Sequence, residues 1–312
     1  MKNNKIYINF ILLGGLALIW GLQFAFNSIA LESITPEILA TSRITIGSLT
    51  LCILMILFES KEAKKTHHKI KLTKSIALRY IAIAFLETII PMTAIAWGQQ
   101  YVDSSITGIL MGTIPLFVVL LAIFFIPSEK ATTLIALSII LGFIGLIILM
   151  SPTLSLGHSN SLLGEISILF GALCFASSLI IIRTMPSTSP IRFTRNVLII
   201  SAIPLLLYTL IIEPNAYLNF NIKTLSATII LGIFPSGIAY LLYVKLIERA
   251  GVTYTSFVNY LAPLVSAFAG VLFMGDYLYL STFIALFIIL AALLLNNLPQ
   301  LVKRKLPIAA KA

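Results

Sequence analysis

Charged residues are scarce in this chain. Asp, Glu, Lys and Arg make up 10% of its 312 residues, while hydrophobic residues make up 59%. A soluble protein of this length would carry about a quarter charged residues. The shortage excludes an ordinary soluble globular domain and predicts a chain that folds in lipid.

Cysteines and motifs of metal or nucleotide chemistry are also rare. The two cysteines, Cys52 and Cys174, lie in apolar runs, so we expect packed thiols rather than a disulfide. His67 and His68 have no acidic or thiol partner at ligand spacing, which argues against a metal site. The chain has no P-loop, Asp-x-x-Asp or His-Glu-x-x-His pattern. We therefore expect no ATP hydrolysis, no cofactor and no enzyme activity; a multi-pass enzyme acting on lipid is the remote alternative.

Long apolar runs are what the chain has instead. Each holds about 20 residues, the length with which an α-helix crosses ~30 Å of hydrocarbon. The fold predicted is an all-α integral membrane protein of ten transmembrane helices. Their approximate bounds are 8–30, 36–58, 79–101, 104–126, 132–150, 162–183, 193–212, 224–246, 253–274 and 279–298.

Basic residues occupy every other gap between these runs. Nineteen of the 21 Lys and Arg fall on one side if the chain alternates across the bilayer; Lys223 falls on the other side and Arg43 inside the second run. Cytoplasmic loops retain Lys and Arg, so we predict cytoplasmic N- and C-termini in a bacterial inner (plasma) membrane. The net charge of +10 is then a topology signal that faces anionic lipid, and no nucleic-acid partner is expected. The first run is expected to remain as a helix rather than be removed as a signal peptide.

The two halves of the chain resemble each other. Residues 103–116 match 251–264 at a constant offset of 148, which places Pro115 on Pro263. We predict two five-helix repeats, residues 8–150 and 162–298, followed by a cytoplasmic tail, 299–312. Because five is odd, the second repeat would be inverted, with a substrate site at mid-depth between the halves. The alternative is that two apolar helix pairs look alike by composition.

A set of short motifs is distributed in a defined order along both halves. They are Trp20-Gly21, Arg43, Ala94–Gly98, Pro115 and Glu129, then Cys174–Ala176, Ala239–Tyr243, Pro263 and Gly275-Asp276. This set resembles the EamA family of the drug/metabolite transporter superfamily. The resemblance implies ten helices, a central cavity lined mainly by helices 1, 3, 4, 6, 8 and 9, and transport of small metabolites, often export.

The expected function is therefore secondary transport. The substrate would be a small organic metabolite, such as an amino acid, amine, purine or drug-like compound, moved by alternating access. Export is the default, and an importer or facilitator of the same substrates is the alternative. We expect the chain to act as a monomer.

Two charged residues lie deep inside predicted spans, Arg43 in the second and Glu87 in the third. An unpaired charge in hydrocarbon costs about 2.5–3.5 kcal/mol, so both should face protein or water. We predict that Glu87 carries a coupling proton or binds a substrate amine. Alternatively it is a structural group, with Arg43 as a candidate ion-pair partner, although their depths differ by roughly 10 Å.

Uncharged polar and aromatic residues share helix faces in three spans. Rings and amides of this kind suit an amphipathic metabolite, although hydrogen bonds between helices require the same residue types. The candidates for a substrate cavity are Trp20, Gln23 and Asn27, Tyr240 and Tyr243, and Thr255 and Asn259.

Two further pairs occupy comparable places in the halves. Pro115 and Pro263 each free a backbone carbonyl and are candidate hinges, or else sources of fixed curvature. Glu129 and Asp276 precede helices 5 and 10, and we expect each to favour that helix's N-terminus.

Overall fold

The chain is helical throughout the part that can be described. The computed structural model describes residues 2–58, 73–126, 132–156, 159–186, 189–215 and 220–305. These residues form eight helices long and apolar enough to cross a membrane, and two shorter apolar helices, Val258–Met274 and Leu280–Leu295. The all-helical, multi-pass character of the predicted fold is thus confirmed. The basic loop with Lys61–Lys71 and its two histidines, Glu129, and residues 306–312 of the tail lie outside the described residues.

The first half holds five helical units with interruptions in two of them. They are α1 (Lys2–Leu31), α2 (Pro36–Phe58), α3 (Lys74–Gly98), α4 (Ser104–Phe125) and α5 (Thr133–Leu156). In α4, two helical pieces, Ser104–Met111 and Ile114–Phe125, meet at Gly112–Thr113. Pro115 is the second residue of the second piece, and a proline is well tolerated there because the first turn needs no internal N–H donor.

The second half follows the same order. Its units are α6 (Ser159–Ile182), α7 (Pro190–Ile212), α8 (Ile222–Ala250), α9 (Val258–Met274) and α10 (Leu280–Lys305). A short helical turn, Val252–Thr255, precedes α9. The last helix runs seven residues beyond the predicted end at 298, since polar and basic residues there continue the helix past the apolar run.

Wide π-helical turns interrupt α3 and α8 at matching places. They cover Phe85–Ile89 and Phe234–Ile238, an offset of 149 residues. Pro235 has no N–H to donate to the carbonyl of Leu231, and the Ser236 hydroxyl donates to that oxygen instead, at 3.2 Å. π-turns of this kind occur frequently at functional sites.

Packing between helices relates the two halves. In the first half α1 packs on α8 and α9, and in the second half its counterpart α6 packs on α3 and α4. The two last helices, α5 and α10, pack on each other. The outward surface is apolar, with exposed side chains such as Phe124, Ile211 and Phe287, as expected of a protein surrounded by lipid tails.

Small residues allow the halves to approach closely. A Cβ added at Gly108 of α4 would overlap the Ser266 side chain of α9. One added at Gly112 would lie 2.5 Å from Cγ of Pro263. Close contacts of this type let dispersion forces hold helices together where the hydrophobic effect is absent.

Candidate functional site

Arg43 is buried between helices of both halves. Its side chain is only 5% exposed, so it points into the protein and not toward the membrane surface. Nε donates to Oγ of Ser236 at 3.1 Å, one terminal nitrogen donates to Oδ1 of Asn27 at 3.3 Å, and the other donates to Oε1 of Gln23. A guanidinium has five N–H groups in a fixed fork, so these three acceptors fix its orientation and leave donors for another group.

Asn27 extends this network toward α3. Its amide nitrogen donates to Oε1 of Gln99 at 2.8 Å, while Oδ1 accepts from Arg43. Gln99 in turn donates to the carbonyl of Phe24 at 3.0 Å. Every polar atom that is satisfied in this way lowers the cost of keeping the amides in an apolar interior.

Glu87 lies in the π-turn of α3. Its carboxylate accepts a hydrogen bond from the hydroxyl of Ser178 in α6. The neighbouring Thr88 hydroxyl contacts that of Ser201 in α7. The wide turn therefore presents consecutive polar side chains to two helices of the other half.

Aromatic rings lie on two of the helices that contribute to this site, α1 and α8. The rings of Trp20 and Tyr243 lie 5.6 Å apart between centroids. Tyr240 and Tyr243 lie on α8, which also bears Ser236, the acceptor for Nε of Arg43. The two tyrosines lie one helical turn apart on that helix.

These side chains are buried or half-buried, and we call them together the central cluster. Its three principal contacts, Arg43–Ser236, Glu87–Ser178 and Trp20–Tyr243, each join the first half to the second. The central cluster consists of Trp20, Gln23, Asn27, Arg43, Glu87, Ser178, Ser236, Tyr240 and Tyr243. Hydrogen-bond donors, one acid and two ring faces together suit a small amphipathic molecule.

Two predicted cavity residues lie apart from this cluster. The Thr255 hydroxyl is buried and donates to the carbonyl of Gly251 at 3.0 Å. The backbone four residues earlier thus provides this hydroxyl with a hydrogen-bond partner. Asn259 follows in α9, where its backbone N–H donates to the carbonyl of Ser256. No contact described for either side chain reaches Arg43 or Glu87.

The candidate ion pair of Arg43 and Glu87 is not formed in the described contacts. Arg43 bonds to neutral oxygens, and Glu87 bonds to Ser178. Arg43 is the eighth residue of α2, and Glu87 lies near the middle of α3.

A separate cleft of about 480 Å³ opens between α2, α7 and α8. It is lined by Thr45, Ile46 and Leu206 among others, and so lies beside the central cluster and not within it. The central cluster itself is closed around Arg43 and Asn27.

Sequence reasoning missed several buried polar residues. Ser178 and Ser236 are the partners of Glu87 and Arg43, and Gln99 is the partner of Asn27. Aligning Phe85–Ile89 with Phe234–Ile238 would have singled out Ser236 opposite Glu87. Glu165, a buried acid within α6, was also missed.

Asp276 caps a helix other than the one predicted. Its Oδ2 accepts from the backbone N–H of Ser105 and from the Ser104 hydroxyl, both at 2.9 Å, so it caps α4 and not α10. Ser266 of α9 donates to the Ser104 carbonyl at 3.0 Å. The loop between α9 and α10 is thereby tied to the start of α4 in the other half.

Asp103, beside this cap, is in an unfavourable electrostatic position. Partial burial and the charge of Asp276 raise the pKa of its carboxyl above the usual range. Asp103→Asn should therefore stabilise the protein at about pH 7, where the unfolded carboxyl is ionised. The gain should vanish near pH 4, because the penalty exists only above the ordinary pKa of about 3.9.

Thermal unfolding of the detergent-solubilised protein at both pH values measures this effect. The matched control is Asp276→Ala, which removes a like charge but also the acceptor for Ser105, and should destabilise. An Asp103→Asn variant with an unchanged or lower midpoint at pH 7 would contradict the electrostatic interpretation.

A multi-pass helical fold with a buried polar cluster shared by two halves is the architecture of a membrane transporter. The family model of the EamA-like transporter family matches residues 8–151 and 162–298. The chain belongs to the EamA-like transporter family.

The relatives of this chain include two proteins that are named as transporters. The chain is 21% identical over 281 residues to the uncharacterized transporter YoaV of Bacillus subtilis, covering 90% of this chain and 93% of that protein. It is 23% identical over 265 residues to an uncharacterized transporter of Archaeoglobus fulgidus, covering 84% and 89%. It is 24% identical over 324 residues to protein PagO of Salmonella typhimurium, covering 100% and 97%.

A solved crystal structure has the same fold. It superposes with a TM-score of 0.65 at 16% sequence identity, covering 98% of this chain and all of that one. The likeness concerns the fold alone.

Proposed function

We propose that this protein is a secondary transporter that moves a small organic metabolite through the central cluster by alternating access. The single observation that supports this most is that Arg43–Ser236, Glu87–Ser178 and Trp20–Tyr243 all join one half of the chain to the other. Polar groups buried in hydrocarbon are costly, and in transporters they mark substrate or ion pathways.

Ten spanning helices in two inverted repeats fit this proposal. Support comes from the equivalent packing of α1 and α6 and from the matching π-turns of α3 and α8. With cytoplasmic termini in a bacterial inner membrane, the second half would enter the bilayer from the opposite side.

Alternating access requires the closed cluster to open on each side in turn. The break at Gly112–Thr113, next to Pro115, and Pro263, which packs on Gly112, supply candidate hinges. Tied at the outer end by Asp276, the halves would separate first at the cytoplasmic end, which suits an exporter that loads from inside. Glu87 is the group we assign to proton coupling, and the unit that transports is the monomer.

Release of labelled compounds from proteoliposomes tests the proposal. Vesicles holding the protein are preloaded with a panel of labelled amino acids, amines and purines, and efflux is followed over time. We expect a subset to leave chemically unchanged and faster than from protein-free vesicles. Efflux of nothing in the panel, or recovery of a modified compound, would contradict a carrier of these substrates.

Two serine variants on α8 test whether efflux depends on the central cluster. Ser236→Ala removes a hydrogen-bond acceptor of Arg43 and should slow efflux about tenfold or more, since one bond to a charged group contributes about 1.5–3 kcal/mol. Ser226→Ala is the control, because Ser226 is exposed and donates only to the backbone of its own helix in the contacts described.

A further inference from the structure

Arg43 is a buried cation whose described partners are all neutral. The oxygens that accept from it belong to a serine, an asparagine and a glutamine. A charge taken out of water needs an opposite charge as well as hydrogen bonds, or it is strongly destabilising. In the described part of the chain, that opposite charge is not supplied by a carboxylate bonded to Arg43.

From this geometry we infer that Arg43 is the subsite for a substrate carboxylate. The inference rests on the proposed transport function and narrows its substrate to a small organic acid. The guanidinium still has N–H donors beyond the three that are used, and a planar carboxylate matches two of them at once.

Neighbouring residues fix where the rest of such a molecule lies. Tyr240 and Tyr243 lie one helical turn apart on α8, which also bears Ser236, the acceptor for Nε of Arg43. The Trp20–Tyr243 ring pair lies on the same α1 and α8 helices that bear Gln23 and Ser236. An acid with its carboxylate at Arg43 therefore extends an apolar or aromatic body along α8 toward these rings.

Glu87 does not take the place of the anion. It is already hydrogen-bonded to Ser178 of α6, in a separate network from that of Arg43. A substrate that carries only a positive charge would meet Glu87 and leave the guanidinium uncompensated. The relative affinity for acids and for amines therefore distinguishes a site that binds acids at Arg43 from one that binds amines at Glu87.

Fluorescence of Trp20 provides a direct test. The chain has two tryptophans, and Trp97→Phe leaves Trp20 as the sole reporter. Trp97 is exposed at the outer end of α3, where it pairs with Tyr101. Quenching is measured in lipid nanodiscs with three probes of nearly equal shape: phenylacetate, phenylacetamide and phenethylamine.

We expect phenylacetate to bind about tenfold or more tightly than phenylacetamide, as a charge-assisted bidentate contact predicts. In an Arg43→Gln variant the two affinities should converge, while the control Ser48→Ala, also on α2, should keep the preference. The comparison of acid and amide needs no change at Arg43, so it stands even if that variant does not fold.

Equal affinity of acid and amide, or no quenching by phenylacetate up to about 10 mM, overturns the inference. Tighter binding of phenethylamine than of phenylacetate also overturns it and assigns recognition to Glu87. In that case efflux of amines from the proteoliposomes would leave the transporter proposal standing, whereas absence of all efflux would remove both.

Discussion

A Glu87→Gln variant should lose the ability to accumulate substrate against a gradient in response to a proton gradient. The amide has the shape of the carboxyl group and can still accept from Ser178, so the fold is kept while the titrating proton is removed. For one coupled proton, the lost accumulation is about tenfold per pH unit of gradient.

The measurement is the steady-state ratio of labelled substrate across proteoliposome membranes with and without an imposed pH gradient. Glu165→Gln is the matched control, because Glu165 is also a buried acid in a spanning helix but lies near the N-terminal end of α6. If Glu87→Gln accumulates substrate as the unmodified protein does, Glu87 does not carry the coupling proton.

The second large effect is expected at Gly108. Its missing side chain lets α4 approach α9, and a Cβ there would overlap Ser266 and lie 3.2 Å from the Phe24 ring of α1. Overpacking a closely packed site costs about 1–3 kcal/mol, so Gly108→Ala should lower the thermal unfolding midpoint in detergent by several degrees.

A control and a rescue test the cause of this loss. Gly15 in α1 has no atom within 4 Å of an added Cβ, so Gly15→Ala should be neutral or stabilise by up to about 1 kcal/mol through helix propensity. Combining Gly108→Ala with Ser266→Gly reopens the space and should recover much of the loss. Equal effects at Gly15 and Gly108 would indicate that packing between α4 and α9 is not the reason.

The membrane fold could be predicted because hydrophobic length is a property of contiguous sequence. Each of the ten apolar runs corresponds to a helical unit, although α9 and the apolar part of α10 are short. Pro115 indicated a bend in α4, but the form and exact place of the interruptions escaped prediction. A π-turn at Phe85–Ile89 or a break at Gly112–Thr113 changes the hydrogen-bond register of the backbone but hardly alters hydrophobicity.

Members of the central cluster could be predicted where their residue type is unusual in a membrane-spanning segment. Arg43, Glu87 and Trp20 stand out in apolar runs for that reason. Serines do not, because a serine in a helix usually bonds to its own backbone, as Ser177 does with the carbonyl of Leu173. Its neighbour Ser178 also bonds to its own helix but turns to Glu87 as well, which only the packing of α6 on α3 decides.

The capping role of Asp276 likewise depends on tertiary contacts that the local sequence does not reveal. Local sequence places this acid just before α10, where a helix dipole would favour it. Its actual partners, Ser104 and Ser105, are about 170 residues away in the chain and are brought near by the association of the halves.

The π-turn in α3 has a consequence for the way this helix is divided. One extra residue in a turn rotates everything beyond it by about 100° about the helix axis. The N-terminal part of α3 accordingly faces α7, where the Tyr80 and Phe193 rings meet, and Gln99, just after its C-terminal end, contacts Asn27 of α1. α3 is thus one continuous helix that contacts two neighbouring helices on different sides. The rotation introduced by its π-turn determines which side chains meet near the middle of the membrane.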